Sequence, residues 1–266
     1  MKQKISITID EKILKDIDSL IDNLLIRNRS QAIEYLVKSS LGGHRTAVIL
    51  AGGDERELEL APGAYSPTAN MGKATVAEKA VAKLRENGFK EIHYIARHKI
   101  LTQAFNILKD GSGHGVKMHY IEEKSSSGTA STLRLVKGKL RTGFLVVYGD
   151  ILFDKVNIEE LWSQHARSNS IATIMLTTSA KPEEKGTVKM EGNKVLEFVQ
   201  KPKKSDIHLV FSPIIAASEE LLDHQGASLE YDVFPKLASK GLLQGHVSSE
   251  KEIHLHSIED LNRIKK

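Results

Sequence analysis

The sequence predicts an α/β protein: a small strand–helix–helix segment over residues 1–43, then a large domain over residues 44–266 built on a mostly parallel sheet covered by helices. Three observations predict it. From residue 46 onward, strand-length apolar runs alternate with helical patterns. Ala47–Leu50 and Phe144–Tyr148 are almost wholly apolar, as strands buried on both faces are. Residues 4–9 instead alternate polar and apolar, then give way to two patterns of helical spacing.

Composition bounds the classes. At 266 residues the chain can bury a sizeable core. Apolar residues are 40% and charged residues 27%, the balance of a globular chain in water. Cysteine is absent, which excludes disulfides, thiolate metal sites and thiol nucleophiles. No apolar run is long enough for a membrane span, and the start lacks a secretion signal's apolar core, so a cytoplasmic location is expected. The net charge of +4 permits a nucleic-acid partner without demanding one.

In the first segment, Ile5, Ile7 and Ile9 alternate with Lys4, Ser6 and Thr8, which predicts a half-buried strand. Asp10 stands at an N-cap position before Ile13, Ile17, Leu20, Ile21 and Leu24 at helical spacing. Ser30 is the second N-cap candidate, ahead of Ala32, Ile33, Leu36 and Val37, and Gly42-Gly43 ends the pattern. One strand and two helices cannot close a core, and a lone strand leaves its edges unpaired. A homodimer, or a higher even-numbered homo-oligomer, with two such strands paired antiparallel solves both problems. On Lys4–Ile9, Asp10-Glu11 and Asn28–Ile33 the segment resembles the ribbon-helix-helix DNA-binding family. The resemblance implies that Lys4, Ser6 and Thr8 meet base edges in the major groove, and that Arg29 and Ser30 meet backbone phosphates. A solvated ribbon that only dimerises is the blander alternative.

In the large domain, strand 47–50 is followed by a loop over 54–72, a helix over 74–87, strand 91–96, a helix near 100–109, strand 117–121, a helix over 129–140 and strand 144–148. Ligands of such sheets bind at the carboxyl ends of the strands, where Gly52-Gly53 and Gly149-Asp150 fall. Glycine lets backbone N–H groups approach a phosphate. His254 and His256, two apart on an expected strand, share a face and could ligate a metal, or could be ordinary surface polar residues.

Leu50-Ala51-Gly52-Gly53, Gly72-Lys73, Gly128-Thr129-Ala130, Leu145–Asp150, Lys185–Val188, Val195–Pro202 and Tyr231–Leu237 occur in the order and spacing of the sugar-phosphate nucleotidylyltransferases, which this domain resembles over nearly all its length. The resemblance implies a Rossmann-like sheet and the joining of a nucleoside triphosphate to a sugar 1-phosphate. It implies nucleotide contacts at Leu50, Ala51, Gly52, Gly53 and Gly128, a Mg²⁺ ligand in Asp150, and Lys201 facing the sugar phosphate. Arg56 is the loop's surviving base. Glu123 lies where the family often reads the base, and a carboxylate there suits guanine.

Three departures from the family pattern follow. The loop continues Asp54-Glu55-Arg56-Glu57, acids where a triphosphate would pass. The activating lysine is missing from Tyr65–Gly72. The second metal carboxylate corresponds to His254, which favours Mn²⁺ or Zn²⁺ over Mg²⁺ if it ligates. These losses lead to the expectation of a DNA-binding transcriptional regulator whose large domain binds a nucleotide or nucleotide sugar without turnover. The alternative is an active metal-dependent sugar-1-phosphate nucleotidylyltransferase dimerised through its N-terminal segment.

Overall fold

The computed structural model of the chain describes residues 5–21, 26–41, 45–140 and 143–264. Helix α1 (Glu11–Ser19) starts where expected, because the Asp10 carboxylate accepts from the Lys12 N–H at 2.8 Å. Helix α2 (Arg29–Leu41) starts one residue before Ser30. Its cap is Asn28, whose side chain accepts from the Gln31 N–H at 3.0 Å, while Gln31 accepts in turn from the Arg27 N–H. Ser30 is therefore inside the helix. Ile17, Ile26 and Ala32 form a small core with Ile9, Leu20, Ile21, Ile33 and Tyr35.

The expected strand is a correction. Residues 5–9 belong to no strand, and Ile5 and Ile7 are 74% and 53% exposed. A ribbon strand needs a second edge to bond to, and one chain does not supply it. Ser6 and Thr8 are accordingly exposed and outside regular structure, and Lys4 lies outside the described residues. On the large domain, the Arg167 guanidinium stands 5.4 Å from the centre of the Tyr35 ring, which ties α2 to helix α6 (Ile158–Arg167).

The large domain carries one nine-stranded sheet. Its strands in chain order are β1 (Arg45–Ala51), β2 (Phe89–Ala96), β3 (Lys117–Glu122), β4 (Phe144–Tyr148), β5 (Ala172–Thr178), β6 (Gly186–Glu191), β7 (Lys194–Gln200), β8 (Leu209–Ala217) and β9 (Leu243–Val247). Across the sheet the order is β3-β2-β1-β4-β8-β5-β9-β7-β6. The first four are parallel, joined by α3 (Val76–Glu86) and α4 (His98–Leu108) on one face of the sheet and α5 (Thr129–Leu133) on the other.

Beyond β4 the sheet turns mixed. β8 is antiparallel to β4 and β5, β9 is parallel to β5, and β7 is antiparallel to β9 and β6. A mostly parallel sheet thus describes the first half only. The second half contains the hairpin β6–β7, which turns at Gly192 in the left-handed region, and hairpins can only make antiparallel pairs. Most of its buried residues fall into two clusters, one on each face of the sheet, and a smaller third gathers Ala69, Val76, Leu152 and Leu255. Phe144–Val147 are wholly buried at its centre, which is why that stretch reads as an unbroken apolar run.

Two further differences bear on the site. The stretch expected as loop, 54–72, contains a helical turn (Glu55–Leu58) and a small hairpin (Glu59–Ala61 with Ala64–Tyr65). The helix expected over 129–140 is one short α-helix that tightens to a 3₁₀ turn at Arg134–Val136.

Candidate active site

The parallel strands β1 and β4 end side by side, and their ends set the site. The Gly149 N–H donates to the Leu50 carbonyl at 2.8 Å. A Cβ on Gly149 would stand 2.7 Å from Ala51 Cβ, so only glycine lets the two strand ends approach this closely. Asp150 then emerges beside the Gly52-Gly53 turn. On its other side, Ile253 and His254 pair antiparallel with Leu152 and Ile151, and the Leu255 N–H donates to the Asp150 carbonyl at 3.0 Å. That short ladder is what carries two histidines from the far end of the sequence to Asp150.

Two cavities meet there. The first, about 350 Å³, is lined by Leu50, Ala51, Gly52, Gly53, Gly128 and Asp150 among others. The second, about 440 Å³, shares Tyr148 and Asp150 with the first and adds Lys185, Lys201, His254 and His256. Five of the six residues expected to bind the nucleotide therefore line one cavity, and Asp150, Lys201 and His254 come together in the other.

Glu123 is the exception. It is 2% exposed, and it accepts from the Gly53 N–H at 2.7 Å and from the Thr132 hydroxyl. Both carboxylate oxygens are engaged beneath the glycine turn, so the expectation that Glu123 reads a guanine is corrected: it shapes the loop from below. Because Gly53 spends its N–H on Glu123, Gly52 is the better placed of the two glycines to meet a ligand through its backbone. Arg56 also departs from expectation. Its guanidinium is paired with Asp54 at 2.6 Å, 87% of its side chain is exposed, and it lines neither cavity. Hydrogen bonds from the Arg56 side chain and backbone hold the Asp54 carboxyl down at about 2. Asp54 is thereby neutralised locally by its own neighbour, whereas Glu57 lines the first cavity beside it.

Several residues of the site carried no motif signal. Glu230 sits on the wall between the cavities, 7% exposed, and accepts from the Tyr148 hydroxyl and from Thr129 at 2.7 Å. Burial, then the Glu230 charge, push the Tyr148 phenol well above its ordinary range, so it stays a donor. Glu252 is more hidden still. Its side chain is 1% exposed and accepts from Ser212 at 2.6 Å, from Lys185 Nζ at 3.2 Å and from His254 Nε2 at 2.9 Å. Burial pushes Glu252 up, but the hydrogen bonds from His254 and Ser212 and the charge of Lys185 outweigh it and hold the carboxyl at about 2. Lys201 follows β7 with a φ of 45°, in the left-handed region rare for a side-chain-bearing residue, and donates its N–H to the Lys185 carbonyl at 2.9 Å. Both lysines are held at the same wall by that contact.

The donor set beside Asp150 fits a divalent cation. Ligand atoms of Asp150, His254 and His256 lie within 4.8 Å of one another. Nε2 of His254 lies 2.9 Å from the Glu252 carboxylate and 3.3 Å from Lys185 Nζ, so Nδ1 would be the nitrogen left to an ion, with the buried carboxylate orienting the ring. Two imidazoles and one carboxylate suit Mn²⁺, Co²⁺ or Zn²⁺ better than Mg²⁺, which prefers oxygen.

A glycine turn after the first parallel strand, an aspartate at the end of the neighbouring strand and lysines on the opposite wall define a nucleotide-binding α/β protein of transferase type. Residues 46–248 match the family model described as Nucleotidyl transferase, and the chain belongs to that family. It is 30% identical over 204 residues to the "Probable mannose-1-phosphate guanylyltransferase 1" of Oryza sativa subsp. japonica, covering 73% of this chain and 56% of that one. It is 30% identical over 189 residues to the low-salt glycan biosynthesis nucleotidyltransferase of Haloferax volcanii, covering 66% and 52%. The chain spans about half the length of these curated relatives. In fold it is similar to a Bacillus anthracis crystal structure described as that of a "Putative Glucose-1-Phosphate Thymidylyltransferase", with a TM-score of 0.74 at 18% identity over 84% of this chain and 94% of that one.

The expectation of a DNA-binding regulator is overturned by these relatives, which are nucleotidyltransferases by name. The geometry agrees. Arg29, expected to hold a DNA phosphate, instead makes two hydrogen bonds to the Asp18 carboxylate, at 2.7 and 2.8 Å. Among the described residues no helix is long and apolar enough to cross a membrane.

Proposed function

We propose that this chain is a divalent-metal-dependent sugar-1-phosphate nucleotidylyltransferase. The observation that carries the reading is the meeting of two cavities at Asp150, one under the glycine turn and one walled by Lys185 and Lys201. In the reaction a phosphate oxygen of the sugar 1-phosphate attacks the α-phosphorus of a nucleoside triphosphate. The new P–O bond forms as the α–β bridging P–O bond breaks, and pyrophosphate leaves.

The chain's part in this is placement and charge. The Gly52 backbone and the Gly128-Thr129 turn hold the nucleotide. Lys185 and Lys201 hold the sugar phosphate, Lys185 with its ammonium already paired to the buried Glu252 carboxylate. The amide oxygen of Gln200 is buried at the second cavity with no hydrogen-bond partner among the described residues, and in this reading it accepts from a sugar hydroxyl. A divalent ion held by Asp150, His254 and His256 would neutralise charge between the two substrates' phosphates. The N-terminal segment is in this reading a ribbon-helix-helix module that pairs two enzyme chains through Ile5 and Ile7.

The test is pyrophosphate release from GTP, dTTP and UTP, each with mannose 1-phosphate and glucose 1-phosphate, in Mg²⁺, Mn²⁺ and Zn²⁺. One pair is expected to turn over best in a metal other than Mg²⁺. Asp150→Ala is expected to lower the rate by about 10²–10³, the loss typical of one transition-state contact. Absence of pyrophosphate release from every pair in every metal, by a chain that is folded, overturns the proposal.

A further inference from the structure

Strand β3 is the outer strand of the parallel half of the sheet, and on it His119 stands opposite His93 of β2. Glu91, two residues before His93, shares the same face. The two imidazoles stack with centroids 4.6 Å apart and planes 14° from parallel, and His119 Nε2 lies 2.9 Å from Glu91 Oε1. One ligand atom from each of the three residues falls within 4.8 Å of the other two. None of them belongs to either cavity at Asp150.

Two observations set this group apart from an ordinary surface cluster. His93 is 4% exposed, and its Nδ1 is buried with no hydrogen-bond partner among the described residues. A buried imidazole nitrogen left without a partner calls for one. By contrast the side chains of His119 and Glu91 are 32% and 37% exposed, which leaves a route from solvent. Glu91 is the single carboxylate of the group, and the charges of Lys117 and Lys139 are also felt at His93. A hard cation bound through charge is disfavoured there; a borderline metal bound through imidazole nitrogen is not.

We propose that Glu91, His93 and His119 form a second metal site, separate from the Asp150 cluster, which takes a borderline divalent transition metal such as Zn²⁺ and clips the outer strand β3 to β2. Three protein ligands leave the fourth position of a tetrahedral ion to water. The site stands near the middle of β2, whereas the candidate active site lies beyond the carboxyl ends of the strands, so its role is to stabilise the sheet edge. An ion that joins two strands binds the native pairing and not the unfolded chain, and so raises the melting temperature.

The test uses the full chain without a histidine tag, stripped of metal, and carrying Asp150→Ala and His256→Ala so that the other cluster is disabled. Zn²⁺ is titrated by calorimetry and Co²⁺ by its visible absorption, with melting temperature followed in parallel. One ion per chain is expected, with a rise in melting temperature. Adding His119→Ala is expected to weaken binding at least about tenfold, the lower bound of what loss of even an outer partner costs, and to abolish the Co²⁺ bands. Glu91→Gln, at a half-exposed position that folding tolerates, is expected to weaken it as well. No binding by the parent chain, or binding and thermal shift unchanged by both added substitutions, overturns the proposal.

Discussion

Glu252→Gln tests how the site is held together. In the folded chain the Glu252 carboxyl is held at about 2, against an ordinary 4.5, by His254, Ser212 and Lys185. At about 1.4 kcal/mol per pH unit this corresponds to about 3 kcal/mol of stability. The sign follows from the depressed value: the contribution is fully present above 4.5 and is lost as pH falls toward about 2. Glutamine keeps the shape and cannot ionise, so the variant is expected to be about 3 kcal/mol less stable at pH 7. At pH 3.5, where the unfolded carboxyl is already mostly protonated, the gap should narrow to about 2 kcal/mol. Urea denaturation at both pH values measures this. A second readout is Mn²⁺ affinity at the Asp150 cluster, expected to fall by about 10–100-fold as His254 loses the carboxylate that orients it. A variant as stable as the parent at pH 7, with unchanged Mn²⁺ affinity, would refute the argument that Glu252 builds the site.

Gly149→Ala places a Cβ 2.7 Å from Ala51 Cβ and 3.3 Å from Pro67 Cβ. It is expected to cost on the order of 1–3 kcal/mol by overpacking the junction of β1 and β4, read as a lower denaturation midpoint, and to slow pyrophosphate release by displacing Asp150. Ile7→Lys puts a charge on the face proposed to pair two N-terminal segments. Light scattering is expected to report a shift from dimer to monomer with pyrophosphate release per chain unchanged, and a dimer that survives the substitution rules that interface out.

Much of the fold was legible because burial leaves a pattern. Phe144–Val147 are apolar since both faces of β4 are covered, and the helix start at Asp10 follows from a side chain that caps an early N–H group. The mixed half of the sheet was harder to read: β7, with Val195 and Phe198 buried and Leu196 and Val199 on the open side, has no clean alternation to mark it as an edge-side antiparallel strand. The loss of a loop lysine and a metal carboxylate was visible in the chain, but the pairing of Lys185 with Glu252 beside His254 was not. Lys185 and Glu252 lie 67 residues apart and meet only through the packing of β6 beside β8 and the return of the chain at Ile253–His254.

The sequence by itself determined the parallel βα frame, the glycine turn and the aspartate at the strand end, because strand burial and tight backbone approach restrict residue type locally. Only the tertiary structure decided which charges are spent and which are available. Arg56 is used by Asp54, Arg29 by Asp18 and Glu123 by the glycine loop, while His254 and His256 are brought to Asp150. The physical reason is that a charge's role depends on distance and desolvation, and both are set by contacts between segments far apart in the chain.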